Sequence, residues 1–332
     1  MRYISLMDTN VHLILTHSGV FHADEVFACA LARLFWGPIR VLRTRDRHKI
    51  KAALSDPTIL VLDIGEQYDP ALLNFDHHGG TQILRKGKWT FSYATFGLLW
   101  LYLEKYMSPN LWRALDQGLV AAIDAADHGI KTTGPGFNIS TVISHMNPSW
   151  KEPVTPEQYS ESFIKALDLA GTVLQNTITS VSDHQAAVDM LADAVATMIH
   201  PGIVVLDKFV PLKMYDWHTK PTALYAVFPN QGGTAWVVRA IEDRRGPRLF
   251  LPAAWRGLHA GHLELATGVE GAEYVDSSGR VGEVKTMEGA LELARLATNQ
   301  GLNGSSHKAS TSRNGRNARV LAAADHNKAA AA

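Results

Sequence analysis

Apolar residues in the first 130 positions fall into short runs and helical stripes, each stopped by an acidic or histidine-bearing segment. Val11–Thr16 is an apolar run of strand length, and Asp24–Phe35 follows with Val26, Phe27, Ala30, Leu31 and Leu34 at helical spacing. Arg40–Arg45 reads as a second short strand, Lys49–Leu54 as a short helix and Ile59–Asp63 as a buried strand. Tyr93–Tyr106 and Leu111–Asp127 read as two helices split by Ser108-Pro109-Asn110, a turn whose proline suits the start of the second. Strands alternating with helices predict an α/β fold with a doubly wound parallel sheet.

Thr155–Met198 has helical periodicity throughout, with possible breaks at Gly171 and Ser182, and reads as a connector. From Ile203 the pattern turns to strands: Ile203–Leu206, Val210–Tyr215, Leu224–Phe228 and Trp236–Ile241, separated by Asp, Pro and Gly-Gly turns. Met287–Ala297 reads as a closing helix. The expected organisation is a catalytic domain over 1–150, a helical linker over 151–200, a smaller α+β domain over 201–298 and a tail over 299–332. That tail is rich in Ser, Asn, Gly and Ala and is expected to be disordered.

Four segments at the ends of apolar runs carry the chemistry. They are His17-Ser18-Gly19-Val20-Phe21-His22-Ala23-Asp24-Glu25, then Asp63, then Asp76-His77-His78, then Asp124-Ala125-Ala126-Asp127-His128. In an open α/β sheet, residues just past the carboxyl ends of the strands converge on one crevice. Each segment has a plainer use: Asp76-His77-His78 as a solvated turn or helix cap, Asp63 as a turn residue, Asp24-Glu25 at the positive end of a helix, and Asp127-His128-Gly129 as a helix end with Gly129 the left-handed cap. Taken together, imidazoles and carboxylates at four successive element ends point to a site for two divalent metals, with one carboxylate shared.

Composition leaves the reading of an enzyme standing. The single cysteine, Cys29, excludes an intramolecular disulfide and falls on an apolar helix face. No run of about 18 apolar residues occurs, and the start lacks a basic-then-apolar signal segment, so a cytoplasmic protein with no membrane partner is expected. Net charge is zero, but residues 299–332 carry five cations against Asp325, a net of 5 − 1 = +4, which leaves the body at −4. Affinity for long nucleic acid comes largely from neutralised phosphates, so any such contact on this body must be local or helped by the tail.

The order of motifs resembles the DHH phosphoesterase superfamily, most closely its Myg (melanocyte proliferating gene) family, over about residues 12 to 298. To the four segments above the resemblance adds Arg43-Thr44-Arg45-Asp46, Asp63-Ile64-Gly65-Glu66-Gln67-Tyr68-Asp69-Pro70, Asn147-Pro148-Ser149-Trp150 and Leu251-Pro252-Ala253-Ala254-Trp255-Arg256-Gly257-Leu258. It implies a DHH-type domain and a metal-dependent 3′–5′ exonuclease acting on RNA. Ser18 and Ala23 stand where the family usually has Asn and Cys, and Val142 and His145 stand where eukaryotic members carry arginines. The superfamily's usual first motif has an Asp at the position of His22, with one fewer residue before it.

The resemblance implies that one ion takes His17, His22 and Asp63, and that the other takes Asp24, Asp63, His77 and Asp127, with Asp63 bridging. Asp124 competes with Asp127 for the last position; the helix end favours Asp127, with Asp124 behind it. Asp76 is expected to orient a histidine, and His78 to face the substrate phosphate. Mixed imidazole and carboxylate donors suit Mn²⁺ better than Mg²⁺, and Zn²⁺ or Fe²⁺ also fit them. Arg43 and Arg45 are either phosphate ligands or solvated ion-pair partners. Arg239, Arg248 and Arg256, near Gly232-Gly233 and Trp255, are either a grip on a nucleotide or ordinary surface arginines over a core tryptophan. Trp100, Trp112 and Trp150 are expected in the core. The partner is RNA or a short oligonucleotide, with a homo-oligomer open. Two other functions stay open: a hydrolase of small phosphoesters such as short oligonucleotides, cyclic dinucleotides or pyrophosphate, and a non-catalytic metal-bound module for RNA or protein.

Overall fold

The apolar run before His17 forms strand β1 (Leu13–Thr16), buried along its whole length because helices cover both faces of its sheet. Ile14 points into a large core shared with helix α1 (Ala23–Trp36), whereas Leu15 points to the opposite face. Strand β2 (Arg40–Arg43) pairs in parallel with β1, and helix α2 (Arg47–Ala53) follows, its first turn held by Asp46, which accepts the amide of His48 at 2.8 Å. Ile50 and Leu54 cover Leu15 and Val61 on that second face, so the sheet is doubly wound, as expected. The computed structural model describes residues 10–80, 82–87, 89–130, 137–151 and 153–301; most of the expected tail lies outside them.

Strand β3 (Ile59–Leu62) pairs with β1, and the short β4 (Tyr68–Asp69) and β5 (Asn74–Phe75) complete the order β2-β1-β3-β5-β4. Only the β4–β5 pair is antiparallel. Because β1, β3 and β5 run the same way, the residues that follow them, His17, Asp63 and Asp76, emerge at one edge of the sheet. That edge is where ligands bind in open α/β sheets.

Helix α3 (Thr95–Tyr102) starts two residues later than expected, since the Asp24 carboxylate takes the amides of Thr95 and Phe96 there. Helix α4 (Pro109–Leu115) passes through a π-helical turn, Asp116–Val120, into α5 (Ala121–Asp127). Helix α6 (Ile139–His145) precedes α7 (Pro156–Ala196), one unbroken helix of 41 residues. The breaks expected at Gly171 and Ser182 do not occur; nothing lies close enough to Gly171 to demand a glycine. The chain divides into two units between Gln185 and Ala186, inside α7. Phe163, Leu167 and Leu174 of α7 belong to the core of the first unit, and Leu191 and Val195 to a core of the second.

The second unit is built on strands β6 (Ile203–Val205), β7 (Tyr225–Pro229) and β8 (Trp236–Ala240), with a small hairpin of β9 (Glu242–Asp243) and β10 (Gly246–Pro247). Helix α8 (Ala260–Thr267), strands β11 (Ala272–Val275) and β12 (Val281–Val284), and helix α9 over 287–301 complete it. The sheet order is β11-β12-β8-β7-β6, with only β6–β7 parallel. Val210–Tyr215, expected as a strand, instead contains a 3₁₀ turn at Leu212–Met214, because Pro211 has no N–H for a ladder. Helix α8 gave no signal in the sequence because Leu263 is its only buried side chain. Trp100 and Trp112 are buried, but Trp150 is 88% exposed in the turn that ends the Asn-Pro-Ser-Trp motif.

Candidate metal centre

His17 leaves the end of β1 almost fully buried, with Nε2 3.1 Å from Oε1 of Glu25 and 3.3 Å from Oδ2 of Asp63. His22 is the residue just before α1, and its amide donates to both oxygens of Glu25 at 2.9 and 3.0 Å. His17, His22 and Glu25 each present a donor atom within 4.8 Å of the others'. The loop that carries His22 is pinned by the segment just past α6: the Phe21 amide donates to Oδ1 of Asn147 at 3.0 Å, and Asn147 Nδ2 donates to the Phe21 carbonyl at 2.8 Å.

On the other side, His77 Nε2 lies 3.2 Å from Asp127, 3.5 Å from Asp63 and 3.9 Å from Asp24. Asp127 ends α5, and Asp24 stands on the first turn of α1. Asp63 lies between the two groups, turned by a left-handed backbone (φ 55°) past the end of β3. Its Oδ2 faces His17 and its Oδ1 faces His77, while Thr95 Oγ1 donates to Oδ1 at 3.2 Å.

Asp76 accepts three hydrogen bonds: from the Glu66 amide at 2.6 Å, the His78 amide at 3.0 Å and His78 Nδ1 at 2.8 Å. Its carboxylate therefore fixes His78, whose side chain is more than half exposed. The resemblance implies different tasks for the adjacent His77 and His78, one on metal and one on the phosphate, yet their rings do not part. They lie in a bend, where alternation does not hold, and both rings turn to Asp63, at 3.5 and 3.4 Å from Oδ1. Asp124 points away from this crevice. It is completely buried, accepts the Gly97 amide at 3.2 Å and pairs with Arg85, which also donates to Asp116 at 2.6 Å.

The electrostatics describe a site arranged for cations. Burial and then the carboxylates of Asp127, Asp63 and Asp124 push Asp24 well above its usual range. For His17 burial works the other way, yet Asp63 and Glu25 outweigh it and raise the imidazole to about 10. His77 is raised likewise to about 11 by Asp127 and Asp63. Burial opposes ionisation of Asp63 as well, but His17 and His77 hold it well below the usual carboxylate range. His77 Nε2 is buried and faces three carboxylates without a hydrogen bond of good geometry to any of them. A buried nitrogen of this kind calls for a partner, and the donor set around it fits a divalent cation.

The sequence model of the MYG1 exonuclease family, described as an uncharacterised protein family (UPF0160), matches residues 13–298. The chain belongs to this family. Among its relatives, MYG1 exonuclease of Homo sapiens is 29% identical over 331 residues, covering 86% of this chain and 85% of the relative. MYG1 exonuclease of Rattus norvegicus is 30% identical (86% and 84%), and the MYG1 protein of Dictyostelium discoideum 28% (86% and 96%). The crystal structure of RecJ in complex with Mn²⁺ from Thermus thermophilus matches at 13% identity and a TM-score of 0.24. That match covers 87% of this chain and 52% of RecJ, so the chain spans about half the length of that protein.

Within this UPF0160 chain the expected arginines take several different places. Arg45 lies at the rim of the crevice, Nε donating to the Ser18 carbonyl at 2.9 Å and Nη2 3.3 Å from His17 Nδ1. Arg43 is turned inward instead. It donates to the carbonyls of Gly19 and Tyr159 at 2.8 and 3.2 Å and stacks on Phe163, which leaves its guanidinium committed to the loop and α7 rather than to a phosphate. In the second unit, Arg248 donates to the carbonyls of Trp217, Lys220 and Ala223 and pairs with Asp243, so its donors are occupied within the fold. Arg256 donates to the Leu251 carbonyl and lies over Phe250, because Trp255 is in the core and offers no face. Arg239 alone of the three is exposed on β8.

Sequence reasoning read Glu25 only as a helix-end acid; its three-residue spacing after His22 was the available signal for a contact with that amide. Nothing in the sequence singled out Thr95 or Arg85, which reach the site's carboxylates across 32 and 39 residues.

Proposed function

We propose that this protein is a metal-dependent phosphodiesterase, and specifically a 3′–5′ exonuclease acting on RNA with two Mn²⁺ ions. The observation that carries the reading is the division of Asp63, one oxygen toward His17 and the other toward His77. A carboxylate shared in this way between two groups of nitrogen and oxygen donors suits a pair of divalent ions. His17, His22 and Asp63 would hold one, with Glu25 adjacent; Asp24, Asp63, His77 and Asp127 would hold the other. Ions bound there would supply Lewis acidity, an activated water and neutralisation of phosphoryl charge.

The chain's own groups supply orientation and charge. Asp24 is fixed by two amides at the start of α3. Asp76 holds His78 by Nδ1, which leaves the Nε2 edge of this half-exposed ring to meet a phosphate oxygen. Arg45, at the rim, adds a guanidinium suited to phosphate. Relatives in the family carry the name exonuclease, which supports nucleic acid as the substrate class. Among the described residues no helix is long and apolar enough to cross a membrane.

Incubating the protein and Mn²⁺ with single-stranded RNA labelled at its 5′ or 3′ end tests the proposal. A ladder shortening from the 3′ end is expected. Digestion from the 5′ end would refute the polarity, cleavage of dinucleotides or pyrophosphate alone would move the assignment to small phosphoesters, and no cleavage of any of them would sink it.

A further inference from the structure

We propose that a groove along α2, opening from the metal centre, is a binding track for the phosphodiester backbone of a single-stranded polynucleotide, holding phosphates beyond the one being cleaved. The inference rests on the phosphodiesterase reading and extends it to Arg47 and Lys51, to which no role has been given above. The groove has a volume of about 380 Å³ and is lined by Arg45, Arg47 and Lys51 over a floor that includes Ile50, Leu54 and Gly65.

Its place ties it to the crevice. Arg45 lines the groove and also lies 3.3 Å from His17 Nδ1. Ile64, Gly65 and Glu66, which follow Asp63 in the chain, also line the groove, and the Glu66 amide donates to Asp76. A strand leaving the metal centre on this side therefore passes between the ends of β2 and β3 onto α2. Arg47 and Lys51 are one helical turn apart and share a face. Neither forms an ion pair among the described residues, and both are exposed. Gly65 keeps the floor low: its backbone is left-handed (φ 101°), and a Cβ there would press to 3.0 Å on Leu54.

The charge distribution singles out the same segment. Residues 43–51 carry five cations (Arg43, Arg45, Arg47, Lys49, Lys51) and one acid (Asp46), a net of 5 − 1 = +4. Since the body over 1–298 is −4, the remainder of that body is −4 − 4 = −8. The segment leading into and along α2 is therefore basic within an otherwise acidic body. Unpaired arginine and lysine on an exposed groove match phosphates, which contribute affinity without regard to base sequence.

The test compares the full-length Mn²⁺-loaded protein with Arg47→Ala/Lys51→Ala and Arg47→Glu/Lys51→Glu, on a long single-stranded RNA and on a dinucleotide. Loss of two phosphate contacts should lower kcat/KM on the long RNA on the order of tenfold and reduce the salt slope of its binding by roughly 1.4. Dinucleotide hydrolysis and the thermal midpoint should stay at the wild-type values. Equal losses on both substrates, or no loss on the long RNA, would overturn the track. If the wild-type protein cleaves neither substrate, the phosphodiesterase reading fails separately. Binding of a fluorescent RNA by the same variants then decides the groove: weaker, less salt-dependent binding supports it, and unchanged binding removes it.

Discussion

Oδ1 of Asp24 accepts the amide hydrogen of Phe96 at 2.7 Å, across 72 residues of sequence, while Oδ2 accepts that of Thr95 at 2.9 Å. One carboxylate thus joins the first turns of α1 and α3. It satisfies two of the amides that a helix start leaves without partners, and the positive end of α3 offsets part of the cost of burying it. What remains uncompensated is the crowding with Asp63, Asp127 and Asp124, which favours an added cation.

Asp63→Asn tests the shared carboxylate with little disturbance of the fold, because Asn tolerates a left-handed backbone as well as Asp does. The variant should fold, lose most bound Mn²⁺ and lose activity. Metal content by mass spectrometry beside a turnover assay checks this, and retention of two equivalents with full turnover would show that Asp63 is not shared.

His77 and His78 should separate by function. His78→Ala is expected to keep near-normal metal content while turnover falls by roughly 10²–10³, the usual cost of losing a donor to transition-state charge. His77→Ala should weaken one ion, with activity partly restored by excess Mn²⁺. Metal stoichiometry in both variants decides; loss of metal from the His78 variant alone would reverse the assignment, and the approach of both rings to Asp63 makes the measurement necessary.

On the proposed metal assignment, protons would compete with metal for His17 and His77, whose folded-state pKa values are raised to about 10 and about 11. The metal-free fold holds protons that the unfolded chain releases near 6.5. The stability these histidines contribute is therefore full below pH 6.5 and falls away as the pH rises through 10 to 11. Mn²⁺ needs the same nitrogens deprotonated, so binding should tighten with rising pH and release about one to two protons near neutrality. Calorimetry in buffers of different ionisation enthalpy measures that release; proton-neutral binding would exclude both imidazoles as ligands.

Behind the crevice, Arg85 is wholly buried between Asp116 and Asp124. Arg85→Met should destabilise the protein by about 3–5 kcal/mol, since it strands buried carboxylates. Gly97→Ala should cost about 1–3 kcal/mol by overpacking, because its methyl would collide with the Asp124 carboxylate and with Tyr93. Urea unfolding of both variants provides the check; a change within error for Arg85→Met would mean that Asp116 and Asp124 are readily neutralised.

Strand ends were legible in the sequence because an apolar run that stops at His17, Asp63 or Asp76 marks both the strand and the first polar group beyond it. The supporting contacts were not. Asn147 reaches Phe21 across 126 residues and Arg85 reaches Asp124 across 39, and no local periodicity records such distances. Arg43, Arg248 and Arg256 could not be told from surface cations, since what distinguishes them is the backbone carbonyl each one meets. Trp150 misled for the opposite reason: its size suggested burial, yet Pro148 and the turn after α6 carry it outward.

Glu25 has two duties that compete. Both of its oxygens hold the His22 amide at the threshold of α1, and one of them also stands 3.1 Å from His17 Nε2. On the proposed assignment, a cation arriving at His17 would draw on the electron density that secures the helix entrance, which would tie loading and local order to one carboxyl group. Exchange of the His22 amide with deuterium then becomes a natural sensor of occupancy, slowing if the cation locks Glu25 in place and quickening if it pulls Glu25 away.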